Sequence, residues 1–341
     1  MLCLCLSLQD SHRSCDKGGK ERSEEVEEVI PETKLQVSPS PHIKDRVSVR
    51  RIMFTVVLAL MPATLCGIYL FGLHALFVIV VSVSSAVVSE FLGYRVMGKK
   101  FTMDGSAVIT GLLLALCLPP SVPLWIPAVG SSFAILVGKC AFGGLGQNIF
   151  NPALVGRAFL SLSWPALMTT WVSPFEGVST ATPLGTWKTG GGYASYSDLF
   201  LGRVAGCIGE TSALAILIGG LLLIALKYID WKTPVSYIGT VGLLMFLLGQ
   251  DPLFHILAGG LFLGAFFMAT DYVTTPLTGK GRVIFGFGAG LLVVVIRMYG
   301  GMPEGVTYSI LIMNAFTPLI DRYTKPRVYG TVRKRWWERK K

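Results

Sequence analysis

The feature that most constrains the fold is an apolar stretch from Ile52 to Ile320, which only short polar segments interrupt. Hydrophobic residues make up 52% of the 341 residues and charged residues only 15%, and the mean hydropathy is +0.60. This is far more apolar than a soluble domain needs to fill its core. Because a spanning helix takes about 20 residues, the stretch predicts an all-α membrane protein with about ten transmembrane helices.

The apolar segments divide into ten predicted spans, separated by turn residues and isolated charges. Their predicted ranges are 52–71, 74–93, 106–123, 124–141, 153–172, 205–226, 234–250, 253–269, 283–299 and 305–320.

The distribution of basic residues predicts how these spans are oriented. With the N-terminus in the cytoplasm, two basic residues fall in outer loops, Lys188 and Arg203, and eight fall in inner loops: Arg95, Lys99, Lys100, Lys139, Lys227, Lys232, Lys280 and Arg282. Cytoplasmic loops carry an excess of Lys and Arg. An even number of spans with both termini in the cytoplasm is therefore expected.

Three segments lie outside the predicted spans. Residues 1–37 are polar, and their run of glutamates is typical of a disordered cytoplasmic extension preceding the transmembrane domain at 38–320. The outer loop 172–204 is long for a connection and is therefore a place to look for function. The tail 321–341 is strongly basic, which favours contact with membrane lipid over nucleic acid.

Two pairs of similar segments predict an internal repeat. Asn148-Ile-Phe-Asn-Pro152 resembles Asn314-Ala-Phe-Thr-Pro318, and Asp104 and Asp251 open corresponding spans. Since each half has an odd number of spans, the two five-helix halves are expected to be inverted relative to each other. Such an arrangement places sites near the membrane midplane, between the repeats.

Polar residues near the span ends are candidates for chemistry. The glycines and asparagines of Gly143–Pro152 interrupt helical hydrogen bonding at the cytoplasmic end of a span, which is tolerated only where the backbone is buried in protein or lines a cavity. Acids inside a membrane tend to mark ion paths. For Glu90 and Glu210 the sequence favours solvated positions at the interface.

In the outer loop, Glu176-Gly-Val-Ser-Thr-Ala-Thr182 offers an exposed threonine hydroxyl among small residues. From the residues alone, a Ser/Thr-rich turn ended by Pro183 is the simplest interpretation. A site reached by a modifying enzyme is the alternative.

Three segments carry a resemblance to a known family: Ser40-Pro-His-Ile43, Gly143-Gly-Leu-Gly-Gln-Asn-Ile-Phe-Asn-Pro152 and Met268-Ala-Thr-Asp-Tyr-Val-Thr-Thr-Pro276. From Ser38 onward the chain resembles the RnfD and NqrB family of ion-translocating redox complexes. Its compact loops look more like RnfD than NqrB. The resemblance implies a bacterial inner-membrane subunit that relays electrons between ferredoxin and NAD⁺ while the complex moves Na⁺ or H⁺.

The resemblance also assigns roles to particular residues. The outer-loop segment resembles the motif in which a flavin transferase attaches FMN through its phosphate to a threonine, and the acceptor would be Thr182. Glu176 and Thr180 depart from that motif, which usually has Asp and Gly there. Asn148 and Asn151 are the candidates to bind a second, noncovalent flavin such as riboflavin, and Asp271 is the candidate to bind Na⁺ with its neighbouring threonines.

The sequence contains no dinucleotide-binding or phosphate-binding glycine motif. The family resemblance therefore implies that iron–sulfur and other membrane subunits of the complex handle ferredoxin and NAD⁺. Two other classes of function fit the same spans. A channel or secondary transporter built from inverted repeats would carry no flavin, and a structural scaffold for partner subunits would not need Thr182.

Overall fold

The computed structural model describes residues 48–99, 101, 103–175, 177–210, 212–301 and 305–326. The predicted extension 1–37 and the tail beyond residue 326 lie outside these ranges. The described residues form fourteen α-helices: α1 Val49–Phe71, α2 Leu73–Val96, α3 Ser106–Leu116, α4 Trp125–Leu136, α5 Pro152–Ser163, α6 Pro165–Met168, α7 Pro183–Lys188, α8 Tyr196–Leu201, α9 Ala213–Ala225, α10 Lys232–Leu247, α11 Pro252–Leu257, α12 Leu261–Leu263, α13 Gly279–Tyr299 and α14 Val306–Thr324.

Helices dominate the described chain, and four helical segments are long and apolar enough to cross a membrane: Val49–Phe71, Leu73–Val96, Trp125–Phe142 and Gly279–Tyr299. Three shorter helices, α3, α9 and α10, are also apolar. This agrees with the predicted all-α membrane protein.

Several helices begin at a capping residue followed by proline. Asn151 caps α5 and Asp251 caps α11, each accepting from backbone N–H groups of the first turn, and Thr182 caps α7 in the same way. A proline at the first helical position costs no hydrogen bond, because its missing N–H would have no partner within the helix. The pairs Asn151-Pro152, Asp251-Pro252 and Thr182-Pro183 therefore determine where these three helices start.

Two predicted spans are shorter than expected because their helices stop inside the protein. The span predicted at 106–123 ends at Leu116, and the span predicted at 205–226 becomes helical only at Ala213. The non-helical backbone is satisfied by pairing of the two segments. Ile208 N–H donates to the Leu118 carbonyl at 3.1 Å, and Gly209 N–H donates to the Leu116 carbonyl at 2.8 Å.

The span predicted at 253–269 is not one helix, so this expectation was wrong. Helix α11 ends at Leu257, the chain turns through Gly259 and Gly260 with φ of +75° and +66°, and α12 continues into a π-helix at Gly264–Met268. Only glycine adopts such backbone angles without strain. The eighth span is therefore a broken helix.

Arg297 of α13 binds the carbonyl groups that this break leaves unpaired. Its side chain is 1% exposed, and its guanidinium donates to the carbonyls of His255 at 2.5 Å, Ala258 at 2.9 Å and Gly259 at 3.4 Å. A cation at a helix C-terminus also offsets the helix dipole. Arg297 thus replaces the hydrogen bonds that a continuous helix would have made.

Two smaller boundaries also differ from expectation. The span predicted at 153–172 ends at Ser163, because Trp164 leaves the helical conformation before Pro165 begins α6. Helix α14 continues past the predicted end at 320 and stops at Thr324.

The same packing scheme occurs twice in the chain. In the first group, α2 packs against α3 and α4, and α4 packs against α5; in the second, α10 packs against α11 and α13, and α13 packs against α14. Helix α1 contacts α9, and α5 contacts α14. The two groups therefore meet through corresponding members.

Replacing Arg297 with methionine should destabilise the protein by about 3 kcal/mol, because three carbonyls lose a charged hydrogen-bond donor away from water. Denaturant unfolding of the purified chain in mild detergent measures this loss. Arg282→Met is the matched control, since Arg282 makes a half-exposed ion pair with Asp230 at 2.8 Å and should cost less than about 1 kcal/mol. Equal losses in the two variants would contradict the proposed role of Arg297.

Candidate functional site

The structure brings three of the predicted site residues together around one cavity. Asn148, Asn151 and Asp271 all line a space of about 790 Å³, including its opening, which we call the core cavity. Its apolar walls come from α1, α3 and α9 and from Phe266 and Phe267 of the π-helix. A mostly apolar cavity with a few convergent polar groups is the usual form of a small-molecule site.

The two asparagines hold the non-helical backbone around this cavity in place. Asn151 accepts from Ala153 N–H at 3.1 Å and donates to the Met268 carbonyl at 3.2 Å, and Asn148 donates to the Phe150 carbonyl at 3.1 Å. Each carboxamide has two donor hydrogens and two acceptor lone pairs. Both side chains therefore keep hydrogen-bonding capacity for a ligand.

Asp271 lies just after the π-helix and is half-buried. Burial raises the pKa of its carboxyl, while hydrogen bonds from Val273 N–H, Thr274 and Asn148 act in the opposite direction. Of the threonines predicted to join it, Thr274 donates to the carboxylate at 3.3 Å. Thr270 and Thr275 donate to backbone carbonyls instead. The hydroxyl nearest the carboxylate is thus that of Thr274.

Glu90 is not solvated, contrary to the expectation from sequence. It is 4% exposed and forms an ion pair with Lys139, which is 2% exposed. Lys139 also donates to Ser106 Oγ at 2.5 Å and lines the core cavity. The sequence-based prediction had assigned Lys139 only to an inner loop, as one of its basic residues. Its position directly after a long apolar run was the signal of a buried cation.

The segment that leads to Thr182 forms a turn that folds back on residues 171–173. An isolated β-bridge joins Val172 to Ser179, and Thr180 N–H donates to the Trp171 carbonyl at 3.0 Å. Residues 177–181 are exposed. Glu176, one of the two departures from the motif, lies outside the described residues. The turn therefore projects a short accessible segment that leads directly to Thr182.

Thr182 itself is not exposed, which corrects the sequence-based expectation. Its side chain is 8% exposed, because its Oγ1 faces α7 and accepts from Gly185 N–H at 3.1 Å. The residue lines a cavity of about 380 Å³, including its opening, which we call the outer cavity. A Ser/Thr turn ended by Pro183 is thus present, with the hydroxyl as helix cap.

Glu210 was also expected to be solvated, but it lines this outer cavity. Its Oε2 is buried and has no hydrogen-bond partner among the described residues. Three further polar side chains that sequence reasoning gave no site role are buried: Arg157, which lines a small cavity with Glu210, and His255 and Arg297 at the break in the eighth span. Isolated charges within apolar runs were the available signal for the two arginines.

These features define a class: a multi-pass helical membrane protein with a broken helix and a mostly apolar cavity, lined by a few polar groups, between two similarly packed groups of helices. Comparison with known proteins gives the family. Residues 36–330 match the model of the NQR2, RnfD, RnfE family, and the chain belongs to this family.

Three relatives show how similar its members are. The chain is 50% identical to the D subunit of the proton-translocating ferredoxin:NAD(+) oxidoreductase complex of Clostridium ljungdahlii, over 90% of this chain and 100% of the relative. It is 50% identical to the Na(+)-translocating counterpart of Acetobacterium woodii, over 89% and 97%. It is 43% identical to the D subunit of the ion-translocating oxidoreductase complex of Stutzerimonas stutzeri, over 84% and 93%.

Removing one partner of the buried pair should be costly. Lys139→Met leaves the Glu90 carboxylate without its ion pair and should lower the free energy of unfolding by about 3–5 kcal/mol. Adding Glu90→Gln to that variant should recover much of the loss, because no charge then remains buried without a partner. Denaturant unfolding of the wild-type protein and both variants in detergent tests this, and a double variant no more stable than Lys139→Met would contradict it.

Proposed function

We propose that this chain is the membrane subunit through which an Rnf-type complex passes electrons on a flavin while the complex moves Na⁺ or H⁺. The observation that carries the proposal is the family match together with relatives at 50% identity, whose names describe the D subunits of ferredoxin:NAD(+) oxidoreductase complexes. The chain would act only within that complex, in the bacterial inner membrane.

The proposal includes ten membrane spans in two inverted five-helix repeats, with both termini cytoplasmic. The duplicated packing scheme supports this arrangement, because α5 and α14 hold the same place in their groups and contact each other. At that contact, turning the Asn314 carboxamide so that its oxygen faces Asn151 lets it accept from the Asn151 backbone N–H at 3.1 Å and donate to the Ile310 carbonyl. The two similar sequence segments thus meet where a two-fold axis between the repeats would lie.

The proposed attachment site for FMN is the hydroxyl of Thr182, joined to the flavin phosphate by a flavin transferase. The exposed turn at 177–181 supports this, since it gives an enzyme access to the chain beside the hydroxyl. When bound, the flavin would supply one-electron and two-electron redox chemistry. The protein would contribute the tether, the helix α7 that Thr182 begins, and the apolar floor formed by Leu184 and Leu199 in the outer cavity.

The core cavity is the proposed place for a second, noncovalent flavin such as riboflavin. Asn151 retains one donor and one acceptor position for a flavin ring, Asn148 retains its acceptor oxygen, and Phe266 and Phe267 offer apolar surface. Asp271 with Thr274 is the proposed Na⁺ contact at the rim, since hard cations prefer oxygen ligands.

The proposed partners follow from what this chain lacks within its described residues. No group of three or more His, Cys, Asp or Glu there is placed to hold a metal ion. Iron–sulfur and other membrane subunits would therefore bring electrons to the flavins and carry them on to NAD⁺. Membrane lipid would contact the basic tail.

A channel or secondary transporter of the same fold is the alternative function, and the broken helices favour it specifically, since transporters place substrates at such breaks. That function predicts no bound flavin. A structural scaffold predicts that electron transfer persists in the assembled complex without Thr182.

The first test is fluorescence of the denatured chain in a gel under ultraviolet light, after expression with its flavin transferase. Wild-type protein should fluoresce and Thr182→Ala should be dark, because denaturation removes any flavin that is not covalently bound. Thr180→Ala is the matched control, since this neighbouring exposed hydroxyl should not be needed. In the assembled complex, Thr182→Ala should also lose electron transfer.

Two outcomes would contradict the proposal. A dark wild-type band, with transferase activity verified on another substrate, would mean that the departures at Glu176 and Thr180 prevent modification and would favour the channel. Full electron transfer in Thr182→Ala would favour the scaffold.

A further inference from the structure

Glu210 stands just before a helix that is too short to cross the apolar layer of a membrane, although the sequence placed it near a span end. It precedes α9 by three positions, and α9 has 13 residues. Thirteen helical residues rise about 20 Å, whereas the hydrocarbon core is about 30 Å thick. With the other end of α9 at the interface near Lys227, the start of α9 and Glu210 beside it fall short of the opposite interface and lie inside the apolar layer.

The break in the eighth span is shaped around this carboxylate. A Cβ atom at Gly260 would lie 2.6 Å from Glu210 Oε1, and a Cβ at Gly259 would lie 2.9 Å from Arg297 Nη2. Both glycines have positive φ. The turn between α11 and α12 therefore admits the Glu210 carboxylate on one side and the Arg297 guanidinium on the other.

Glu210 also separates two cavities. The outer cavity contains Thr182, and an inner cavity of about 300 Å³, including its opening, is lined by Arg157, Cys117 and Thr307. Glu210 and Gly259 belong to the walls of both. A group that borders two cavities is placed to exchange a bound ion between them.

The bonding of this carboxylate is incomplete. Glu210 Oε2 is buried without a hydrogen-bond partner among the described residues. Leaving an ionised carboxylate in this state is costly unless a cation or a proton neutralises it. Glu90, by contrast, is buried with Lys139 as its partner.

We infer that Glu210 is the carboxylate that takes up the transported cation inside the membrane and passes it between the outer and inner cavities. The cation is Na⁺ or H⁺. Either one, bound to a carboxylate oxygen of Glu210, would neutralise its negative charge. This inference rests on the proposed function, because it requires that the complex move a cation.

The test uses the assembled complex in sealed vesicles, with ferredoxin oxidation driving NADH formation. Glu210→Gln keeps the size of the side chain and removes its charge, so cation uptake should fall by about tenfold or more. Glu210→Asp keeps the charge and should retain a substantial share of uptake. Asp198→Asn, which removes a half-buried carboxylate on the outer helix α8, should leave uptake unchanged.

Wild-type uptake in Glu210→Gln would overturn the inference. So would an equal loss in Glu210→Asp and Glu210→Gln, because shape rather than charge would then be what matters. Subunit content and in-gel flavin fluorescence are measured for every variant. Normal fluorescence with lost uptake isolates the role of Glu210, whereas a dark wild-type band bears only on the proposed function.

A second measurement avoids substitution altogether. A hydrophobic carbodiimide added to the wild-type complex reacts with protonated carboxyls in apolar surroundings, and peptide mass spectrometry locates the adduct. Glu210 should be labelled while the ion-paired Glu90 stays unmodified. Protection of Glu210 by Na⁺ identifies Na⁺ as its ligand, and labelling that depends on pH but not on Na⁺ identifies the proton. Labelling elsewhere with none at Glu210 would overturn the inference.

Discussion

The whole structure depends on one constraint: backbone polar groups buried away from water must find partners. Most of the chain meets this constraint with helices, but the third, sixth and eighth predicted spans leave the helical conformation inside the protein. The non-helical segments around Leu118 and Ile208 pair with each other. At the eighth span a side chain, Arg297, supplies the donors. The irregular backbone is therefore confined to places where specific partners hold it.

The non-helical backbone segments also create the cavities. A continuous helix from 253 to 269 would fill the space beside Glu210 with side chains, whereas Gly259 and Gly260 leave it open. Likewise, the non-helical run before Pro152 directs Asn148 and Asn151 toward the core cavity. Polar side chains therefore gather where the helices are interrupted.

Much of this could be predicted from the sequence, for reasons tied to particular residues. The apolar stretch predicted helices in a membrane, and Gly143–Pro152 correctly predicted an interruption. Asn148, Asn151 and Asp271, chosen separately, line one cavity. The eighth span was misread because its hydropathy is continuous, and hydropathy does not register backbone angles. The solvated interpretation of Glu90 failed because its partner Lys139 lies 49 positions away, and pairing across that distance depends on how α2 and α4 pack.

The hydrogen bond from Gly185 N–H to Thr182 Oγ1 has a further chemical consequence. As the cap of α7, the Thr182 oxygen accepts a hydrogen bond and its own proton is not needed for that role. Replacing the proton with a phosphoryl group would leave oxygen acceptors available to the same N–H group. A serine could combine cap and ester in this way, whereas alanine could do neither. At this position, covalent modification and helix initiation are chemically compatible, so the proposed attachment of a flavin would leave the start of α7 in place.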